Sequence, residues 1–274
     1  MKNQKISRRA VLDCAILAAG AHLAAAPSPA SQRALALIGD RFHNPDYIRV
    51  GLDKVFSSLG MKVDYTIQYD ALSSNLLKNY QLLVILRDGM IWPGGYLGPD
   101  AYTAYEQRLE NKDFPEAKPV LWMTEEQGAA VKDFVNAGNG LYAMHNSSHI
   151  SHCSKNYRDV MGGSYVGHPA LRPFKVSVVN HDHPITQGIQ EFFVNDEQHY
   201  VDYDKDHKYI LMEAENADGL DYDGHGAKSI SAWAYDYGQG RAAFTAVGHT
   251  IHALWNPQYL EVQKRTIRWL LKDL

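Results

Sequence analysis

Cysteine is scarce in this chain of 274 residues, which contains only Cys14 and Cys153. Cys14 lies in an N-terminal segment that we expect to be removed during export, so the mature chain keeps Cys153 alone and cannot form an intramolecular disulfide. A lone thiol in an oxidising compartment is usually tolerated rather than used in chemistry. The sequence therefore gives no support for a disulfide-stapled fold or for Cys153 as a nucleophile.

Several motifs that carry well-known chemistry are also absent. The chain has no Gly-x-Ser-x-Gly or Gly-x-Cys-x-Gly nucleophile turn, no Walker loop and no dinucleotide fingerprint. The glycines of "GGSYVGHP" (162–169) do not form such a fingerprint, because no helix is predicted to open on them. These absences argue against serine or cysteine acyl transfer and against nucleotide binding.

A basic surface is lacking as well. The chain carries 27 basic and 31 acidic residues, a formal net charge of −4 with the histidines neutral. Loss of residues 1–26 removes four basic residues and one aspartate, which takes the net charge to −7. An acidic chain without a basic run is a poor candidate for binding nucleic acid, so no nucleic-acid partner is predicted.

The first thirty residues are predicted to be a twin-arginine-type signal peptide. Arg8 and Arg9 stand in "SRRAVLD", an apolar run extends from Val11 to Ala26, and the small residues of "APSPA" follow. The apolar run is short and rich in alanine, so no stable membrane anchor is expected. We predict cleavage near Ala26 or Ala30 and a periplasmic or secreted protein.

Residues 31–274 are predicted to form a single α/β domain, because no repeat or linker divides them and their number suits one large core. Strands alternate with helices in the first half, which predicts a mainly parallel sheet between two helical layers. The strand "LYAM" is expected to be buried in this sheet, with "ALALIG" and "LLVIL" as its parallel neighbours. Residues 90–118 are interrupted by glycine and proline and are predicted to be a surface insertion with one short helix. The other predicted elements are strands at 34–39, 62–67, 81–89 and 141–144, helices at 44–60 and 124–140, several strands after residue 174 with a hairpin over 238–240, and a final helix from Asn256.

Histidine is abundant, with 13 in the chain, and several lie at the predicted ends of elements. His145 ends the strand "LYAM" and begins a polar segment, and His249 follows the strand predicted to end at Val247. Ligands bind beyond the carboxyl ends of parallel strands. Glu197 and His199 would share one face of a strand because they are two residues apart. Metal ligation and general acid–base catalysis both fit these groups.

For several other residues a structural interpretation competes with a functional one. His145 and His149 have the spacing of two ligands on one helical turn, but Asn146 and the serines after it are predicted to form a turn. Ser147 and Ser148 are expected to cap the following helix. The aromatic side chains are mostly expected to pack in strands and the hairpin, although Trp233 or Trp255 could stack on the apolar face of a sugar.

Five motifs together resemble the ThuA-like, trehalose-utilisation family, and they occur in the family's order between about Leu35 and Leu270. The family is similar in fold to class I glutamine amidotransferases, a flavodoxin-like α/β sandwich, but lacks their catalytic cysteine, and His145 stands about where that nucleophile turn would be. Asn146 departs from the small residue that relatives usually carry there. The motifs are "TEEQGAAVKDFVNAGNGLYAMH", "HPITQGI", "DEQHY", "WAYDYGQGRAAFTAVGHT" and "IRWLL".

The resemblance implies a role in carbohydrate catabolism, since family members often accompany sugar dehydrogenases that make 3-keto sugars. It places the site around His145, Glu197 and His249. We therefore expect an exported sugar-processing enzyme, not a glutamine amidotransferase, whose partner is a small-molecule carbohydrate of the trehalose or keto-glycoside type. The alternative is a non-catalytic module that binds a carbohydrate or a partner protein on a degenerate amidotransferase fold.

The expected roles divide into three groups. His145, Glu197 and His249 are predicted to be catalytic, and the same three would be the ligands if a divalent metal such as zinc is bound. Without a metal, Glu197 and a histidine could act as base and acid beside a sugar carbonyl. The predicted substrate-binding residues are His168, His199, Asn146, Trp233 and Trp255.

Overall fold

The computed structural model describes residues 33–93 and 118–274, and its centre is a nine-stranded sheet. The predicted signal peptide and the predicted insertion helix lie outside the described residues. In spatial order the strands are β2 (Lys62–Thr66), β1 (Arg33–Ile38), β3 (Leu82–Leu86), β6 (Gly140–Met144), β13 (Gly240–Thr245), β12 (Lys228–Tyr237), β11 (Ile210–Asn216), β8 (Arg172–Val178) and β9 (Phe192–Asp196).

Two short ladders lie outside this sheet. β4 (Met90–Ile91) pairs with β5 (Val120–Leu121), and β7 (Gly163–Gly167) pairs with β10 (Tyr200–Tyr203), both antiparallel. The β4–β5 ladder closes the base of the segment that was predicted to be an insertion.

In the spatial order of the sheet, the first five strands, β2, β1, β3, β6 and β13, are parallel to one another. The last four, β12, β11, β8 and β9, are each antiparallel to their neighbours. This confirms the α/β class with a mainly parallel centre. One prediction of strand order was wrong: we expected β6 to lie between β1 and β3, but it lies between β3 and β13. The β12–β13 hairpin folds back into the sheet and pairs Ala242 with Leu141 in parallel.

Helices cover both faces of the sheet and make three layers. Along β1, Ala34 and Ala36 pack with Ile48 of α1 (Pro45–Ser58), whereas Leu35 and Leu37 belong to a second cluster with Val131 of α3 (Glu125–Asn136). Alternate side chains of a strand point to opposite faces, so both faces are buried. The helices are α1 (Pro45–Ser58), α2 (Ser74–Leu77), α3 (Glu125–Asn136), α4 (Lys155–Met161), α5 (Ile251–Leu254) and α6 (Pro257–Leu270).

Local signals explain where the longer helices begin. Asn44 accepts a hydrogen bond from the backbone of α1, and Thr124 and Gln127 form the predicted capping box of α3. Asn256 caps α6 in the same way. Within 33–93 and 118–274, no helix has both the length and the apolar character needed to cross a membrane.

Candidate active site

Polar side chains follow three neighbouring strands of the parallel half. Asp40 comes after β1, Asp88 after β3 and His145 directly after β6. The side chain of Asp40 is only 1% exposed, and Asp88 and His145 are also buried. The carboxyl ends of parallel strands meet at one edge of the sheet, so these groups form the floor of one site.

His145 occupies a backbone conformation that is rare for residues other than glycine. Its φ is 50°, in the left-handed region, at the junction between β6 and a 3-10 helix over His145–His152. A strained strand-to-helix turn is the device by which α/β hydrolases present a nucleophile. Here a turn from a strand into a 3-10 helix presents an imidazole.

Contacts of the His145 ring settle which nitrogen carries its proton. Nδ1 lies 2.7 Å from the carbonyl oxygen of Ala246, and a carbonyl can only accept, so Nδ1 donates. Nε2 then faces Glu197, with 3.4 Å to Oε2. Burial lowers the pKa of His145, which favours the neutral ring.

Glu197 is the point on which the histidines converge. Its Oε2 lies 3.1 Å from Nδ1 of His249, 3.4 Å from Nε2 of His145, 3.5 Å from Nε2 of His168 and 3.6 Å from Nε2 of His199. Burial opposes ionisation of this carboxyl, but its close contacts with the rings of His145, His199 and His249 outweigh it and hold the pKa of Glu197 well below its usual range. Glu197 is therefore an anion at neutral pH.

The predicted strand around Glu197 is broken. β9 ends at Asp196 and β10 begins at Tyr200, so Glu197 and His199 do not share a strand face as expected. They reach one site because the short irregular segment that joins the two strands carries both residues, and Nε2 of His199 lies 3.6 Å from Oε2 of Glu197.

His43 was not predicted as a site residue. Its Nδ1 lies 2.9 Å from Asp40 Oδ1, and its Nε2 lies 3.0 Å from Nδ1 of His249. Asn146, predicted to bind substrate, instead donates to Asp40 Oδ2 at 2.6 Å. Burial raises the pKa of Asp40, but the hydrogen bonds from His43 and from backbone N–H groups outweigh it and lower that pKa to about 2.

The backbone of His249 is held from two sides. Asp196, which is fully buried, accepts from the N–H groups of Gly248 at 2.8 Å and His249 at 3.0 Å. The hydroxyl of Tyr47 donates to the His249 carbonyl at 2.6 Å. These bonds fix the loop after β13. Burial raises the pKa of Asp196. Burial disfavours the charged form of His249, but Glu197 outweighs it and raises the pKa of that ring.

His168 and His199 close the other side of Glu197. Their rings are stacked 5.1 Å apart, and His199 also stacks on His145 at 3.9 Å. Burial lowers the pKa of His199 far below its ordinary value. The side chains of His168, His249 and Glu197 are 29%, 24% and 15% exposed, so a ligand would enter past these groups.

A second histidine–carboxylate pair lies in the same part of the fold. His149 Nδ1 lies 3.0 Å from Asp88 Oδ1, and its ring contacts Tyr165, which in turn contacts His199. His145 and His149 are not placed as two ligands on one helical turn, an arrangement that the predicted turn after His145 already disfavoured, because a 3-10 helix has three residues per turn and His149 is bonded to Asp88.

Burial and contacts show where the two tryptophans lie. Trp233 is 0% exposed, stacks on Phe244 and donates to the Met161 carbonyl, so it cannot stack on a sugar. Trp255 packs against α1, where it donates to the Gly51 carbonyl and lies under Lys54.

The serines after His145 do not cap α4. Ser148 bonds to the His145 carbonyl, and Ser154 is the cap instead. Cys153 lies near the Gly89 carbonyl, and burial raises the pKa of its thiol, which disfavours the reactive thiolate.

Comparison with known proteins agrees with the fold and with the motifs. Residues 33–270 match the family model of ThuA, described as trehalose utilisation. The chain therefore belongs to the ThuA family, whose architecture is the glutamine amidotransferase-like sandwich seen here. No curated protein matches it in sequence.

Among solved structures, a ThuA-like protein from Bacteroides uniformis shares 15% identity at a TM-score of 0.62, over 89% of this chain and 93% of that one. A ThuA-like protein from Parabacteroides merdae shares 17% at 0.57, over 88% and 90%. A β-galactosidase from Rahnella sp. R3 shares 14% at 0.54, over 87% of this chain but 31% of the enzyme. At these identities the likeness concerns the fold alone.

Proposed function

We propose that the protein is an enzyme of sugar catabolism and that its active site is the Glu197 centre, which consists of Glu197 with the five histidines around it. One observation carries the proposal: a single carboxylate oxygen lies within 3.6 Å of four imidazole nitrogens. The centre lies at the carboxyl edge of a parallel sheet, where such folds bind ligands. The five histidines are His43, His145, His168, His199 and His249.

A protein that only bound a sugar would not need this cluster of ionisable side chains. A module that only holds sugars relies on aromatic faces and neutral hydrogen-bonding groups, and the two tryptophans that could have supplied such a face, Trp233 and Trp255, are packed elsewhere. Clusters of ionisable groups in a cleft are instead typical of catalytic sites. This favours an enzyme over the carbohydrate-binding module.

Membership in the trehalose utilisation family supports a sugar substrate. A sugar with a ring carbonyl suits the centre, because the C–H beside a carbonyl is acidic. A basic side chain at the site would remove that proton, and the electron pair would move to the carbonyl oxygen as an enediolate held by imidazole N–H groups. In a keto-glycoside the carbonyl can lie two carbons from the glycosidic carbon. The electron pair of the enediolate then returns to re-form the carbonyl, a carbon–carbon double bond forms to the glycosidic carbon, and the bond to the glycosidic oxygen breaks. The departing oxygen takes a proton as it leaves.

Isotope exchange provides the test. The purified protein is incubated in D₂O with a keto-glycoside and, separately, with trehalose, and NMR follows deuterium at the carbon beside the carbonyl and release of the leaving sugar. We expect exchange or cleavage of the keto-glycoside only, and a loss of about 100-fold or more in Glu197→Gln. Glu191→Gln, an exposed glutamate paired with Lys175, is the matched control.

Two outcomes would contradict the proposal. Full activity in Glu197→Gln would remove Glu197 from the mechanism. Sugar binding that depends on Glu197, with no exchange or cleavage, would make the protein a binding module.

We also propose that the enzyme works outside the cytoplasm after twin-arginine export. The pair Arg8 and Arg9 is the feature that the export receptor reads. Replacing both with lysine should leave unprocessed precursor in the cytoplasm, as seen by cell fractionation. Processed protein outside the inner membrane in that variant would contradict the assignment.

A further inference from the structure

We propose that His43, His145, His249 and Glu197 bind one divalent transition-metal ion of the zinc type. This inference rests on the proposed function and deepens it, because it names the cofactor of the same site. The four ligand atoms lie within 4.8 Å of one another and come from four separate parts of the chain. His43 and His145 are buried, whereas Glu197 and His249 are partly exposed, which gives a site with a closed and an open side.

The spacing of the ligand atoms fits one ion. Two ligands bound tetrahedrally at about 2.0–2.1 Å from the same zinc ion lie about 3.3–3.4 Å apart. The atoms of His249 and His43 are 3.0 Å apart, those of His249 and Glu197 3.1 Å, and those of His145 and Glu197 3.4 Å. A small movement of the two partly exposed side chains, Glu197 and His249, would therefore be enough to receive the ion.

Two of the rings are already oriented as metal ligands are. A ligating histidine usually donates its other N–H to a carboxylate or a backbone carbonyl, which fixes the tautomer and the ring plane. His43 has Asp40 in that place and His145 has the Ala246 carbonyl. In both rings Nε2 is left with its lone pair facing the other ligands.

Nε2 of His145 is a buried polar atom without a hydrogen-bond partner. Its contact with Glu197 at 3.4 Å brings a nitrogen lone pair against a carboxylate oxygen, and two electron-rich atoms repel unless a cation or a proton lies between them. Buried polar atoms in folded proteins are nearly always satisfied. A metal ion bound to both atoms satisfies them together.

The ligand types select the metal. Three imidazoles and one carboxylate suit zinc and its neighbours among the first-row metals, whereas calcium and magnesium prefer oxygen ligands alone. His168 and His199 lie on the other side of Glu197 and are left to hold its carboxylate and to meet the substrate. A bound ion of this kind acts as a Lewis acid on a carbonyl or hydroxyl oxygen.

Metal content and cobalt spectroscopy provide the test. Protein purified without a polyhistidine tag is stripped with a chelator, dialysed, titrated with Zn²⁺ by calorimetry, and analysed for bound metal. We expect one zinc per chain, and for Co²⁺ the strong visible absorption of a low-coordinate nitrogen and oxygen site. His145→Gln and Glu197→Gln should each lose stoichiometric binding, while His181→Gln, which changes an exposed histidine, should keep it.

The outcomes separate this inference from the proposed function. If His145→Gln fails to fold, His43→Gln with its circular dichroism spectrum serves in its place. Sugar conversion by chelator-treated protein with no bound metal would overturn the metal site and would favour a proton between His145 and Glu197, while leaving the enzyme proposal intact. Stoichiometric zinc binding without sugar conversion would uphold the metal site and contradict the proposed function.

Discussion

Gly248 lies directly against the side chain of His145: a Cβ atom on Gly248 would come within 2.7 Å of the His145 Cβ. His145 cannot retreat easily, because its φ of 50° is unusual and its Nδ1 is bonded to Ala246. The absence of a side chain at position 248 therefore helps to aim the His145 ring at Glu197.

Gly248→Ala should consequently impair the site more than the fold. We expect zinc affinity and sugar conversion to fall by about 10-fold or more, as for other losses of ligand support. Gly51→Ala is the matched control, because its new methyl group would meet the flexible side chain of Leu254, and it should alter stability while leaving the zinc affinity unchanged. Equal zinc affinity in Gly248→Ala and the wild type would show that position 248 does not aim the ring.

Asp40 offers a second test of ligand orientation. Its carboxylate accepts from His43 Nδ1 at 2.9 Å and from the amide of Asn146 at 2.6 Å. Asp40→Asn keeps the size of the side chain but removes the charge, and its amide can turn a donor toward His43 and change the tautomer. We expect about 10- to 100-fold weaker zinc binding, measured by calorimetry.

The control for Asp40→Asn is Asp46→Asn. Asp46 is a nearby aspartate whose side chain is 87% exposed, so the same change of charge should leave zinc binding unaltered. Wild-type affinity in Asp40→Asn would contradict an orienting role for Asp40.

The strand-end rule predicted part of this site and could have predicted more. His145 was identified because it directly follows the buried strand "LYAM", and the structure places Glu197 and His249 beside it. The same rule applied to "ALALIGD" and "LLVILRD" would have selected Asp40 and Asp88. His43 had no such signal, because its place depends on the turn between β1 and α1 and on its bond to Asp40.

Long-range pairing explains the predictions that were wrong. Alternation of apolar residues could not say that β13 would lie beside β6, since that contact joins residues about a hundred positions apart. Nor could it say which face of β12 carries Trp233. The ring turns toward α4 and its Nε1 bonds to Met161, so an aromatic residue in the hairpin serves the core and not the ligand.

A histidine away from the site gives a prediction for stability against pH. Burial lowers the pKa of His183 to about 4, from about 6.5 in an unfolded chain. Between pH 6.5 and 4 the unfolded state therefore binds a proton that the folded state does not. The stabilising contribution of the neutral ring is complete above about pH 6.5, decreases as pH falls through this window, and levels off below about pH 4.

His183→Gln should remove that pH dependence. The variant no longer titrates at this position. Between pH 7 and 5 the free energy of unfolding of the wild type should therefore decrease by about 1 kcal/mol more than that of the variant, a value that already includes a discount for the partial exposure of the ring. Urea unfolding at the two pH values provides the measurement, and His181→Gln, on the exposed neighbour, is the control. A constant difference between His183→Gln and the wild type would show that the ring is not held neutral.

His149 can be separated from the proposed metal ligands by its own chemistry. Its Nδ1 donates to Asp88 at 3.0 Å, which leaves Nε2 as a basic nitrogen in the part of the site lined by Tyr165. A histidine oriented by a carboxylate is a common proton acceptor. We expect His149→Gln to lower sugar conversion by about 100-fold or more while the zinc stoichiometry stays at the wild-type value, because His149 is not among the four ligands.

The neighbouring His152→Gln variant is the matched control. His152 lies in the same 3-10 helix, is exposed, and has its Nε2 bonded to the Tyr165 carbonyl, so its loss should affect conversion far less than the loss of His149. Asp88→Asn should reproduce the His149→Gln defect in a milder form, since the ring remains but loses its orienting charge. If His149→Gln converts the sugar at the wild-type rate, the Asp88–His149 pair is structural, and proton transfer belongs to the Glu197 centre itself.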